Sequence, residues 1–339
     1  MVGTDPKYSI IITAHNRREY IQAAFQSAVL QDYTGSYEII IVSNFVDKHI
    51  KAESLKNPSF VKYILDESEP LGQKQANGIL AARGEWICLL EDDDLFCKNK
   101  LFELDSIIHV MKNAGIIKNP VSLINANGDE ILYPNSKTLL YCLLDPMGWF
   151  SEVKRKEYQQ FYKILPAQND YFNLYAIFSG NSSLTIKKDI LLNYLQTLKG
   201  IKLSSESLFL SLSLIERKDK IITKKILGKY RIHSNNSSNA NNIDPFVSLN
   251  VLKNFVHDFK LTSSLPIQSR YRNALKTISS RFQILYIYRM HINGEFTFKQ
   301  IVNFGFITAL FYGIFGRPEK RIFILPFRLF RIIFIHFDP

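Results

Sequence analysis

The chain has 339 residues, 46% hydrophobic and 22% charged, a composition ordinary for a globular protein of two domains, or of one domain with an extension. Its three cysteines, Cys88, Cys97 and Cys142, form no CxxC pair, and no basic segment leads into an apolar one at the start; a reducing cytoplasm is the expected compartment. The net charge of +11 is concentrated at one end, because residues 245–339 hold 13 Lys and Arg against 4 Asp and Glu. Basic residues interleaved with Phe, Ile and Leu suit an anionic membrane surface better than nucleic acid.

The first half alternates strand and helix signals, which predicts a mostly parallel sheet covered by helices on both faces. Residues 8–14 (YSIIITA) read as a buried strand that meets a polar break at His15, Asn16, Arg17 and Arg18. Residues 19–31 carry an apolar stripe of helical period. Strands are predicted at 38–42, 61–65 and 85–90, with helices at 72–83 and 98–112. The strand ends near 14, 43 and 91 then open on one sheet edge, where open α/β folds bind ligands. Residues 119–178 are irregular and aromatic, expected as short strands and a variable acceptor-side segment. Residues 235–242 (NNSSNANN) read as a linker.

Residues 84–95 (GEWICLLEDDDL) end an apolar strand in Glu91, Asp92, Asp93 and Asp94. Like charges crowded at a buried strand end repel one another and lose hydration unless a cation or strong donors neutralise them. Oxygen ligands suit Mg²⁺ or Mn²⁺, which complete their shells with water and substrate phosphates, so a phosphorylated substrate is implied. The alternative is a solvated turn or a helix N-terminus. No GxGxxG follows the first strand and no GxxxxGK[ST] occurs, which disfavours dinucleotide and P-loop sites. Sequons at Asn181 and Asn236 carry no weight without a secretion signal.

In order and spacing, YSIIITAHNR, EIIIVSN, ARGEWICLLEDDDLF, SSESLFL and YRIHSNNSS resemble family 2 glycosyltransferases of the GT-A fold, over about residues 7–240. The resemblance implies a catalytic domain at 1–240, with a nucleotide-sugar half at about 1–115 and an acceptor half at about 116–240. It further implies metal-dependent transfer of a sugar from a nucleotide-diphosphate donor, with inversion. Thr13, Ala14 and Asn16 would lie beside base and ribose. Asn44 stands where the family usually has an Asp on the base, a departure that bears on base preference. The DxD element matches Glu91, Asp92 and Asp93: Asp93 as metal ligand, Glu91 and Asp92 beside the ribose or supporting the ligands. Asp94 is expected to cap the helix that follows or to hold the loop. Lys74 reaches the pyrophosphate or is a solvated helix charge. Glu206 matches the acidic residue that serves as general base, with Ser207 where the catalytic Asp often sits. Arg231 is expected on phosphate, and His233 on the metal or diphosphate.

In the tail, residues 301–316 form an apolar run of 16, shorter than the about 20 needed to span a bilayer. Residues 322–337 read as a helix lying in the interface with Arg328 and Arg331 reaching headgroups, or as a helix packed on the catalytic domain or on a second subunit of a homo-oligomer. The expectation is a peripheral protein at the cytoplasmic face of a membrane, anchored by 245–339 and acting on a lipid-linked or glycan acceptor. Two rivals remain: a nucleotidyltransferase that makes sugar nucleotides, and a scaffold that keeps the fold without turnover.

Overall fold

The computed structural model describes residues 5–131, 161–163, 180–233 and 249–267. An eight-stranded sheet forms the centre: β1 (Tyr8–Ala14), β2 (Tyr37–Ser43), β3 (Val61–Leu65), β4 (Trp86–Glu91), β6 (Ala114–Lys118), β9 (Phe161–Lys163), β10 (Leu184–Lys187) and β11 (Asp219–Thr223). The spatial order is β3-β2-β1-β4-β10-β6-β11-β9. β1, β2, β3 and β4 run parallel, while β10 inserts antiparallel between β4 and β6. Register pairs Ala14 with Ser43 and Thr13 with Glu91, so three loops leave the sheet side by side.

Both faces of β1, β2 and β4 are buried, which is why their sequences read as continuous apolar runs. Ile10, Ile12, Ile39, Ile41, Cys88 and Leu90 face one core. That core is covered by α1 (Ile21–Val29), α2 (Lys48–Lys56) and α4 (Lys100–Val110) through Phe25, Ile50 and Leu104. Ile11, Ile40, Val42, Ile87 and Leu89 face the other. There α3 (Leu71–Ala81), α5 (Lys188–Asn193), α6 (Leu195–Lys199), α7 (Glu206–Ile215) and α8 (Leu249–Ser263) contribute Ile79, Leu191, Leu198, Phe209 and Phe259. A Cβ on Gly72 would lie 1.9 Å from the Leu198 carbonyl oxygen, so only glycine lets α3 approach α6 this closely. A second sheet, β5 (Leu95–Phe96), β12 (Gly228–Arg231), β7 (Val121–Ile124) and β8 (Glu130–Ile131), lies in the order β5-β12-β7-β8.

The predicted strands and three predicted helices are all present, the helices shortened by one to two residues at most ends. α2 is absent from the sequence reading: only Ile50 and Ser54 of its residues are buried, and its start is set by Asp47, whose carboxylate accepts from the His49 and Ile50 N–H groups. Within the segment read as irregular, β7, β8 and β9 are described. Residues 132–160 and 164–178 of it, the 235–242 linker and the 301–337 tail lie outside the described residues. α8, which falls in the basic 245–339 region, has Asp258, Phe259 and Thr262 fully buried. No helix among the described residues is long and apolar enough to cross a membrane.

Candidate active site

The acidic run leaves β4 at the edge where β1 and β2 also end, and Asp92, Asp93 and Asp94 are all buried. One carboxylate oxygen each from Glu91, Asp93 and Asp94 lies within 4.8 Å of the others. Burial, reinforced by Asp93, Asp94 and Glu206, pushes Glu91 well above the carboxylate range. Burial and the Asp93 charge push Asp94 to about 8, and burial lifts Asp92 to about 6 against the pull of Arg17. Asp93 Oδ1 is buried without a hydrogen-bond partner. An orphaned anionic oxygen beside two neighbouring carboxylates fits a divalent cation with oxygen ligands.

Arg17, from the polar break after β1, supplies positive charge here. Its Nη1 lies 2.5 Å from Asp93 Oδ2 and its Nη2 2.5 Å from Asp92 Oδ1. Asp92 also accepts the His15 N–H, fixing the loop that carries Asn16. Asn16 has φ of 62°; its N–H donates to Asn44 Oδ1 at 2.9 Å, and Asn44 Nδ2 donates to Asn16 Oδ1 at 2.7 Å. Thr13 and Ala14 lie buried in the strand end beneath them. Lys74 sits in the first turn of α3, buried, with its ammonium donating to the Ser68 carbonyl beside Asp66 and Glu69. It is therefore not the solvated helix charge that the alternative reading supposed.

Asp94 does not cap α4, whose N-cap is Asn99 with no side-chain cap bond. Its carboxylate instead accepts the Arg231 N–H at 3.0 Å and a bond from Ser182, joining β12 to the acidic loop. Arg231 fastens the wall of the site: Nε donates to the Asp93 carbonyl, and Nη1 to those of Asn125 and Ala126. His233 Nε2 lies 3.0 Å from Asp93 Oδ2, with its ring against Tyr20.

Glu206 opens α7, half-buried, with Ser204 Oγ donating to its Oε2 at 3.1 Å and the Gly180 N–H donating to its carboxylate. Burial raises its pKa above the usual range. Ser207 is fully buried and its hydroxyl donates to the Ser204 carbonyl, which leaves Glu206 as the carboxylate at the helix start, its charge among those that raise Glu91.

A 3₁₀ turn, Asn181–Ser183, ties the acidic run after β4 to the start of α7. Asn181 Nδ2 donates to Glu91 Oε1 at 2.8 Å, and Asn181 Oδ1 accepts from Ser205 Oγ at 2.9 Å. Ser182 Oγ accepts the Glu91 N–H at 3.0 Å. Gly180 enters the turn with φ of 78°, which L side chains adopt only at a cost. Behind the turn are two buried ammonium groups. Lys100 donates to the Ser182 carbonyl, and Lys118 donates to Ser183 Oγ and the Gly180 carbonyl; burial lowers the two to about 8 and about 7. Arg17, Asn181 and Ser182 were not singled out from the sequence. Asn181, a sequon residue, is buried.

Residues 9–112 match the family model described as Glycosyl transferase family 2. An uncharacterized glycosyltransferase of Rickettsia bellii is 24% identical over 305 residues, covering 81% of this chain and 44% of its own length. A Campylobacter jejuni protein named GalNAc(5)-diNAcBac-PP-undecaprenol beta-1,3-glucosyltransferase is 30% identical over 123 residues, 33% of this chain and 40% of its own. The chain spans less than half the length of the curated relatives it matches. Staphylococcus aureus TarS 1–349, solved in complex with UDP, superposes with a TM-score of 0.57 at 14% identity, covering 94% of this chain and 83% of that one; its UDP-GlcNAc complex gives 0.56. Fold and likeness together define a GT-A domain. Within it, residues 9–112 carry the likeness to glycosyltransferase family 2.

Proposed function

We propose that the chain transfers a sugar from a nucleotide-diphosphate donor to an acceptor hydroxyl by single displacement with inversion. The observation that carries this reading is that Asn181 bonds both Glu91 of the acidic cluster, with its orphaned Asp93 oxygen, and Ser205, the residue before Glu206. The solved neighbours that share the fold bind UDP and UDP-GlcNAc, which supports a nucleotide-sugar donor.

Asp93 and Asp94, with Glu91 beside them, would hold Mn²⁺ or Mg²⁺, and His233 would orient Asp93 from behind. Such a cation supplies charge neutralisation to the diphosphate as it leaves. Arg17, already paired with Asp92 and Asp93, adds a second positive charge on that side. Opposite the leaving group, Glu206 takes the proton of the acceptor hydroxyl as its oxygen bonds the anomeric carbon; the electron pair of the breaking bond goes to the diphosphate. Its raised pKa makes it a stronger base once ionised. The Asn16–Asn44 pair would form the base-and-ribose wall, with Thr13 and Ala14 beneath.

The acceptor we propose is a lipid-linked or other glycan, presented at the cytoplasmic face of a membrane to which the part of 245–339 beyond α8 attaches. The Campylobacter relative, named for a PP-undecaprenol-linked glycan, supports this, as does the basic, apolar character of that region.

The test is nucleotide release by the full chain from UDP-, GDP- and dTDP-sugars with Mn²⁺ and a polyprenyl-diphosphate glycan. Wild type should release nucleotide, Asp93→Ala none, and Glu206→Gln should lower kcat by about 10² to 10⁴. Pyrophosphate release from a nucleoside triphosphate plus a sugar phosphate would establish the nucleotidyltransferase instead. Silence in every combination would leave a scaffold.

A further inference from the structure

The loop before Glu206 is held from outside the catalytic segment. Asp258, in α8, has no exposed surface, and its carboxylate accepts three main-chain N–H groups in succession: Lys202 on Oδ1, and Leu203 and Ser204 on Oδ2, each at 2.9 Å. His257 Nδ1 lies 2.9 Å from Oδ1. Ser204, whose N–H is the last of the three, turns its hydroxyl onto Glu206 Oε2 at 3.1 Å. The helix is anchored beside this clamp, since Phe259 is fully buried in the core shared with α3 and α7, and Thr262 Oγ1 bonds the Asp258 carbonyl.

We propose that Asp258 is a positioning residue for the transfer reaction: through residues 202–204 and the Ser204 hydroxyl it sets where the Glu206 carboxylate points, so that the first helix of the basic C-terminal region completes the reaction centre. This rests on Glu206 as the base. A carboxylate that accepts three successive N–H groups fixes the path of three residues, and truncating it leaves the buried Ser204 N–H and two part-buried ones unpaired. A side chain displaced by about 1 Å from its reacting atom can cost on the order of 10² in rate. Any movement of α8 against α7 reaches the base by two hydrogen bonds.

The experiment compares wild type, Asp258→Asn, Asp258→Ala and Ser204→Ala as full chains, by steady-state kinetics and by hydrogen exchange of the peptide containing residues 202–204. Asp258→Ala should lower kcat by about 10- to 100-fold with donor KM within about twofold, and Asp258→Asn should fall between it and wild type. Exchange should quicken at 202–204 while β1 and β4 keep their protection. Ser204→Ala leaves the three amide bonds in place and guards against misfolding of the Asp258 variants; its kcat should fall about 5- to 10-fold, the worth of one hydrogen bond. Unchanged kcat in Ser204→Ala, or unchanged exchange at 202–204 in Asp258→Ala, would overturn the proposal. So would a loss of kcat accompanied by equal loss of donor affinity and faster exchange throughout the sheet. If wild type shows no transfer at all, the functional reading fails, while the exchange comparison still decides whether Asp258 holds the loop.

Discussion

Arg17 and Asp93 stand 76 residues apart in sequence and 2.5 Å apart in space, Nη1 to Oδ2, with Asp92 on the other fork of the same guanidinium. Both carboxylates are buried, while Arg17 is part-exposed at 22%. Removing one partner of such an arrangement leaves buried charge uncompensated, which costs about 3 kcal/mol or more. Arg17→Ala should therefore lose about 3 kcal/mol in urea unfolding at pH 7 without metal, and less at pH 5, where neighbouring carboxylates hold protons. A loss under about 1 kcal/mol at pH 7 would show that the pair is not what neutralises the cluster.

The cluster also sets a pH dependence. Asp94 lies near 8 and Asp92 near 6 in the fold, against about 3.9 in an unfolded chain. Folded values raised above unfolded ones mean that the native state holds protons the unfolded chain has released; this stabilisation is full below about pH 4 and is lost as pH rises through the folded values. Opposing slopes come from His15, a half-exposed group lowered by burial, and from Lys118, lowered to about 7 and so active only near the top of this range. Metal-free protein should melt lower at pH 7 than at pH 5, and Asp94→Asn should flatten that slope. A slope of opposite sign, or one untouched by Asp94→Asn, would contradict the assignment.

Where the chain is cut should matter sharply. Ending it after residue 245 deletes Phe259, fully buried and worth about 3 to 5 kcal/mol by itself, along with the clamp of Asp258. Ending it after 267 keeps both. Differential scanning fluorimetry should find the shorter chain unfolded or strongly destabilised and the longer one near the full-length Tm. Sedimentation with anionic liposomes should show the longer truncation released from lipid, as expected if the basic tail is the membrane contact. Undiminished liposome binding would count against that role.

The sheet was legible because its strands are buried on both faces, and runs such as YSIIITA and EIIIV have no other comfortable place. α2 was not, because KHIKAESLK turns only Ile50 and Ser54 inward, too thin a stripe to show a period. The carboxylates of the site stand together in sequence and could be found; their partners could not. Asn181 meets Glu91 across 90 residues, and Asp258 meets Ser204 across 54. Such bonds depend on β10 inserting beside β4 and on α8 packing over α7, which local sequence does not specify. Arg17 was visible only as part of a polar break, its role fixed by a register that sets Thr13 opposite Glu91.

The proposed transfer depends on the acidic residues ending β4 gripping a cation that in turn grips a diphosphate. Manganese titration followed by electron paramagnetic resonance, with and without UDP, tests it most directly. One Mn²⁺ per chain is expected, bound more tightly when UDP is present, with loss of that site in Asp93→Ala protein whose circular dichroism is unchanged. Equal Mn²⁺ binding by Asp93→Ala, or UDP binding by wild type that is indifferent to the metal, would contradict it.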